Sequence, residues 1–198
     1  MGEIKYKVAH CGTATLETPR LILRRATLED CQAIHNDLTT DRDIVEYVGW
    51  EECHGFDDTH KRVTKMLRDY DDPSVYNWLI IAKDCNEVAG MIYTSVLIDK
   101  RRTAEIDYCI AQRFRGKGYA PEAFKSVIHY LFFNAGFYRI EAQCNTDNPS
   151  SERVMIKAGM RHEGTMRGRA MRMNEDGFPD DILLYGITAN DVGIEHHV

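Results

Sequence analysis

Between residues 103 and 111 apolar and polar positions alternate. Ala104, Ile106, Tyr108 and Ile110 fall on one face, and Thr103, Glu105, Asp107 and Cys109 on the other, which is the period of a strand. The period then lengthens. Ala120, Ala123, Phe124, Val127, Ile128 and Leu131 recur at helical spacing, with Pro121 and Glu122 suited to a first turn and Gly136 to a stop. Applied along the whole chain, the two periods predict a strand at 20–25, a helix from Thr27 to about Asp37, and a second helix from Asp57 or Thr59 to Tyr70. Strands follow at 76–83 and 88–97, across the short connection Asp84-Cys85-Asn86. Beyond the central strand and helix come a strand at 138–144 and a helix at 150–158 ending at Gly159. The last expectation is an antiparallel pair, 161–172 and 181–189, around the turn Asn174-Glu175-Asp176-Gly177. Ile4, Tyr6 and Val8 alternate briefly, as an extra edge strand or a loose arm would. Strands interleaved with helices in this order predict a mixed α/β sheet.

Composition narrows the class without naming a chemistry. A chain of 198 residues, 43% hydrophobic and 28% charged, is expected to form one domain over 1–198, with an arm at 1–17 and a tail at 191–198. No signal peptide or apolar run of spanning length is visible, so neither a membrane nor a secretory route is expected, and the cytoplasm is the default. The six cysteines, Cys11, Cys31, Cys53, Cys85, Cys109 and Cys144, form no C-x-x-C pair and read as reduced thiols. Cys53, His54 and His60 match no zinc spacing, and no metal is expected. Charge is uneven: Asp41, Asp43, Glu46, Glu51, Glu52, Asp57 and Asp58 face only Arg42 within 41–58, in a chain of formal charge −6. That acidity argues against direct nucleic-acid binding despite Arg161, Arg167, Arg169 and Arg172.

The candidate chemistry lies between the central strand and helix. Gly116 and Gly118 sit there with Arg113, Arg115 and Lys117. A glycine loop opening a helix presents backbone N–H groups where the helix dipole is positive, an arrangement that cradles anions. A plain tight turn is the alternative reading. The spacing is neither a Walker loop nor a dinucleotide fingerprint. Arg113-Phe114-Arg115-Gly116-Lys117-Gly118, after the A-E-I-x-Y strand, resembles motif A of the GNAT N-acetyltransferases. The segment Asn148-Pro149-Ser150-Ser151-Glu152-Arg153-Val154-Met155-Ile156-Lys157-Ala158-Gly159-Met160 resembles the N-x-x-S-x-x-V-x-x-K-x-G block of the ribosomal-protein-alanine (RimJ/RimL-type) branch. Asp181 to Tyr185 is similar to that branch's closing D-x-x-x-Y strand, and Thr18 to Arg24 to its opening.

The resemblance spans about residues 18–190 and implies a GNAT fold: a mixed, mostly antiparallel twisted sheet of about seven strands with helices on both faces. It implies acetyl-CoA as cosubstrate. The pyrophosphate would lie on the backbone from Arg115 through Gly116, Lys117 and Gly118 to Tyr119, with charge from Arg115 and Lys117, and Arg113 would be a further cofactor-binding residue. Ile110 and Ala111 would pair with the pantetheine amides, Asn148 and Ser151 would lie near the pantetheine and sulfur, and Lys157 would approach the adenosine phosphate. Ser150 or Ser151 also suits a helix N-cap. In some members a catalytic glutamate stands near the place of Glu105. The tyrosine acid of many members is replaced here by Met155.

Chemistry sets what such a site requires. Direct acetyl transfer needs an uncharged amine, an oriented thioester, a donor to the oxyanion and a proton for the thiolate. Freeing an α-amine of its proton near pH 7 costs about 1 kcal/mol, and a lysine-like amine about 4–5 kcal/mol. Glu105 is the candidate base, with Asp107 on the same face to raise its pKa; a solvated strand face is the competing reading. The acidic 41–58 segment, with Tyr47 and Trp50, suits a cationic acceptor such as a basic peptide N-terminus, a polyamine or an aminoglycoside, with an ordinary solvated loop as the competing reading. The resemblance to the ribosomal-protein branch favours a protein N-terminal amine. A silent acyl-CoA-binding domain fits the same loop. Either a monomer or a homodimer is compatible.

Overall fold

A computed structural model of the chain describes residues 7–48, 50, 53–170 and 177–193. Eight strands form one sheet in the order β1-β2-β3-β4-β5-β6-β8-β7. They are β1 (Leu16–Glu17), β2 (Leu21–Arg24), β3 (Asn77–Ala82), β4 (Glu87–Ile98), β5 (Thr103–Ile110), β6 (Arg139–Asn145), β7 (Arg161–Met166) and β8 (Ile182–Thr188). Every neighbouring pair is antiparallel except β5 with β6. The eighth strand, β1, pairs through two residues only, too few for any periodicity to announce it.

The helices are α1 (Cys31–Ile34, preceded by the 3₁₀ turn Leu28–Asp30 and continued by the π turn His35–Thr39), α2 (Arg42–Val48), α3 (Phe56–Asp69), α4 (Tyr119–Tyr130, continued by the π turn Leu131–Ala135) and α5 (Pro149–Ala158). Helix α2 has no counterpart in the expected order. Within its seven residues only Ile44 is buried, and the acidic side chains around it mask a helical stripe. Strand β7 is shorter than expected, because Gly168 turns the chain at φ +60° and Arg169 and Ala170 then donate to the Asp180 carbonyl. Most of the expected 174–177 turn lies outside the described residues, as do Ile4 and Tyr6.

Alternation along β5 places helices on both faces. Tyr108 meets Phe124 of α4 edge to face, with ring centroids 5.1 Å apart. On the opposite face, Asp107 is paired across the ladder with Tyr93, on which Trp50, just past α2, stacks. Strand β3 is buried at five consecutive positions, Trp78 to Ala82, as befits a strand covered on both faces. Residues 8–14 run as an arm tied to this core: Trp78 donates to the Ala14 carbonyl at 2.6 Å and Tyr130 to the Gly12 carbonyl at 2.8 Å.

One glycine sets how closely β4 and β5 approach. A Cβ at Gly90 would stand 2.2 Å from the carbonyl oxygen of Cys109, a backbone atom held in the ladder opposite Met91. Gly90→Ala is expected to destabilise the fold by about 1–3 kcal/mol, the usual cost of overpacking, measured as the urea midpoint. An unchanged midpoint would contradict this close approach.

Candidate functional site

Strands β5 and β6 pair in parallel over Thr103–Glu105 and Arg139–Glu141 and no further. Past those residues a cavity of about 780 Å³ opens between them, walled by α2, the glycine loop, the start of α4 and the N-terminal turn of α5. The volume lies within the range of small-molecule sites.

The glycine loop forms one end. Gly116 and Gly118 have φ of +78° and +80°, a region L side chains avoid. A Cβ at Gly116 would enter open space, so the backbone there is bare toward an incoming group. The N-cap of α4, Gly118, has no side chain to cap it, which leaves the first N–H groups of the helix available to an anion. Arg20 fixes the loop from behind, donating to the carbonyls of Lys117 at 2.8 Å and Gly118 at 3.2 Å. Because C=O and N–H point oppositely across a trans peptide, the N–H groups of Gly118 and Tyr119 are turned away from Arg20. Glu122, an acidic residue in the first turn that would repel an anion, is instead bound by Arg20 and Thr18. Arg20 lies 97 residues from Lys117 in sequence and was not singled out there.

The cations expected to add charge are disposed otherwise. Arg113 is turned away from the cavity, where Asp37 and Glu87 hold its guanidinium at 2.8 and 2.6 Å. Lys117 also lies outside the cavity lining, its Nζ 4.7 Å from the centroid of the Phe114 ring. Arg115 lines the cavity but is paired with Asp41 at 2.7 Å and Asp43 at 3.1 Å, and its Nε donates to the Ile110 carbonyl. Two carboxylates of the expected acidic rim are therefore matched by an arginine; Glu51 and Glu52 lie outside the described residues. The Ala111 N–H is taken by the Ala89 carbonyl at 2.9 Å, and Ala111 does not line the cavity, whereas Ile110, Tyr119 and Lys157 do. Among the described residues no three potential metal ligands gather, and no helix is long and apolar enough to cross a membrane.

The cavity lining also carries groups able to move protons. Glu105 accepts from Gln143 Nε2 at 2.5 Å. Burial pushes its pKa up, the Gln143 hydrogen bond holds part of the rise back, and the negative charges of Asp107 and Glu141 add to it. Asp107 is also raised by burial. Nearby, α5 starts with Asn148 as its N-cap, accepting from the Ser151 N–H at 3.1 Å, so neither Ser150 nor Ser151 serves as cap. The Ser151 hydroxyl accepts from Tyr108 Oη at 3.2 Å. Tyr108 was not anticipated: alternation sets it on the apolar face of β5, and only the tertiary placement of α5 brings Ser151 to it. Burial lifts the cavity thiols of Cys109 and Cys144 to about 12, so neither is a thiolate nucleophile near neutral pH.

The family model described as Acetyltransferase (GNAT) domain matches residues 20–161. An uncharacterised N-acetyltransferase of Bacillus subtilis is 33% identical over 172 residues, 87% of this chain and 95% of that protein. A GNAT-family acetyltransferase structure from Bacillus anthracis superposes with a TM-score of 0.74 at 28% identity, over 88% of this chain and 98% of that one. The ribosomal-protein-serine acetyltransferase of Escherichia coli is 28% identical over 65% of this chain and 69% of its own.

Arg20→Ala is expected to leave the fold intact and raise KM for acetyl-CoA about 10-fold or more, because the loop N–H groups lose the carbonyl clamp that orients them. Steady-state kinetics with the unfolding midpoint measured in parallel checks this. An unchanged KM would contradict the orienting role.

Proposed function

The chain belongs to the GNAT acetyltransferase family, and we propose that it transfers acetyl from acetyl-CoA directly to a protein N-terminal α-amine. The observation that carries the reading is one cavity joining an anion-cradling loop, a half-buried carboxylate and a hydroxyl pair. The resemblance to the ribosomal-protein acetyltransferases, including the Escherichia coli relative, favours that acceptor. The cytoplasm is the proposed compartment, in keeping with cysteines that form no disulfide among the described residues.

The residues divide the work by position. The loop backbone from Gly116 to Tyr119 holds the pyrophosphate, with Lys157 toward the adenosine end. Ile110 supplies backbone partners to the pantetheine arm. Glu105 takes the proton that the amine must shed, and its raised pKa brings it nearer the amine's own. The Tyr108–Ser151 pair supplies a proton to the departing thiolate, with Asn148 fixing the turn that carries Ser151. A polyamine is the second reading, favoured by the carboxylates Glu46, Glu105 and Asp107 along the same cavity. Free-CoA release against a panel of N-terminal peptides, polyamines and aminoglycosides separates the two.

Glu105→Gln is expected to lower kcat about 10²–10⁴-fold at neutral pH, with the loss shrinking near pH 8 for an α-amine. It also has a stability signature. A carboxyl whose folded pKa is raised costs stability above that pKa, and the cost vanishes as pH falls below the ordinary carboxylate range. The variant is therefore expected to melt higher than the wild type at pH 7, with the gap closing toward pH 4. Wild-type kcat in the variant at pH 7 would make Glu105 only a strand-face carboxylate.

A further inference from the structure

Asn145 ends β6 on the wall of the cavity. The residue is 7% exposed, and its side-chain Nδ2 is buried without a hydrogen-bond partner among the described residues. An unpaired buried donor is costly, and most are satisfied by protein or water. A persistent one lining a cavity is explained by a ligand atom that accepts from it. That atom is not the amine: a protonated amine only donates, and a neutral one must keep its lone pair for the thioester carbon.

Position along β6 identifies the acceptor atom. Gln143, two residues back and on the same strand face, holds Glu105. Asn148, three residues on, donates its backbone N–H to the Asn145 carbonyl at 2.9 Å and caps the turn bearing Ser151. Asn145 thus stands in the chain between the residue that positions the base and the residue that positions the thiolate's proton donor. The reacting carbonyl has to lie between the same two groups. We propose that Asn145 Nδ2 is the hydrogen-bond donor to the thioester oxygen, a catalytic role that rests on the acetyl-transfer reading.

In the step it serves, the amine lone pair forms the C–N bond and the carbonyl π pair moves onto oxygen, toward Asn145. Glu105 takes the surplus amine proton. Collapse of the oxyanion restores C=O and breaks C–S, and the thiolate is protonated from the Ser151 side. The amide product and free CoA balance the two substrates.

The test uses Asn145→Leu, close in shape but without a donor, and Asn145→Ala in case leucine fits poorly. Loss of one oxyanion donor is expected to lower kcat about 10²–10³-fold. The Kd of free CoA, which has no thioester oxygen, is expected to stay within about twofold, because the lost contact is made only to that oxygen. Asn145→Leu is also expected to melt no lower than the wild type, since it removes an unpaired buried donor. Unchanged kcat would overturn the proposal. A parallel loss of CoA affinity would overturn it by placing Asn145 against the pantetheine arm, and unfolding of both variants would overturn it by making the amide part of the scaffold. Wild-type turnover in the same assay tests the transfer reading separately; a wild type that binds CoA and transfers nothing overturns both.

Discussion

Everything at the cavity depends on the parting of β5 and β6 after three residue pairs. Backbone N–H and C=O groups are obligatory hydrogen-bonding groups, so a sheet that splits in its middle leaves edges that must be satisfied from elsewhere. Here part of that demand is met by Arg115, whose Nε donates to the Ile110 carbonyl. The rest faces the cavity. Parallel pairing requires a long crossover, and α4 supplies it, which brings the glycine loop to the mouth of the split.

Charge is arranged around that opening so that little of it is unopposed. Arg20 neutralises Glu122 while holding the loop carbonyls, and Arg115 neutralises Asp41 and Asp43 while tying α2 to the loop. Asp41 also caps α2, accepting from the Asp43 and Ile44 N–H groups. The loop and the α2 wall of the cavity are thus joined through one arginine. Glu105 and Asp107 are treated differently: burial raises both, a cost to stability at neutral pH of the kind that accompanies the base role proposed for Glu105.

Much of the fold was legible because it is periodic. The alternation of 103–111 and the helical spacing of 120–131 located β5 and α4, and Gly116, Gly118, Gly136 and Gly159 marked turns that all adopt positive φ. The loop's position followed from the same residues. The fate of its cations did not, since Arg113 and Arg115 are claimed by Asp37, Asp41 and Asp43 more than seventy residues away, and no local pattern encodes such pairs. Tyr108 was hidden for a related reason: alternation reports which face a side chain takes, not that α5 will bring Ser151 to it. Asn145 carries no sequence signal, being visible only as a buried donor without a partner among the described residues.

Direct transfer requires both substrates to occupy the one cavity together. Initial rates measured while acetyl-CoA and an N-terminal peptide are varied together test it most directly. Direct transfer predicts double-reciprocal lines that intersect, as a ternary complex requires, and no acetyl group on the protein after incubation with acetyl-CoA alone. Parallel lines with an acetylated Cys109 or Cys144 would show a covalent route and contradict the account.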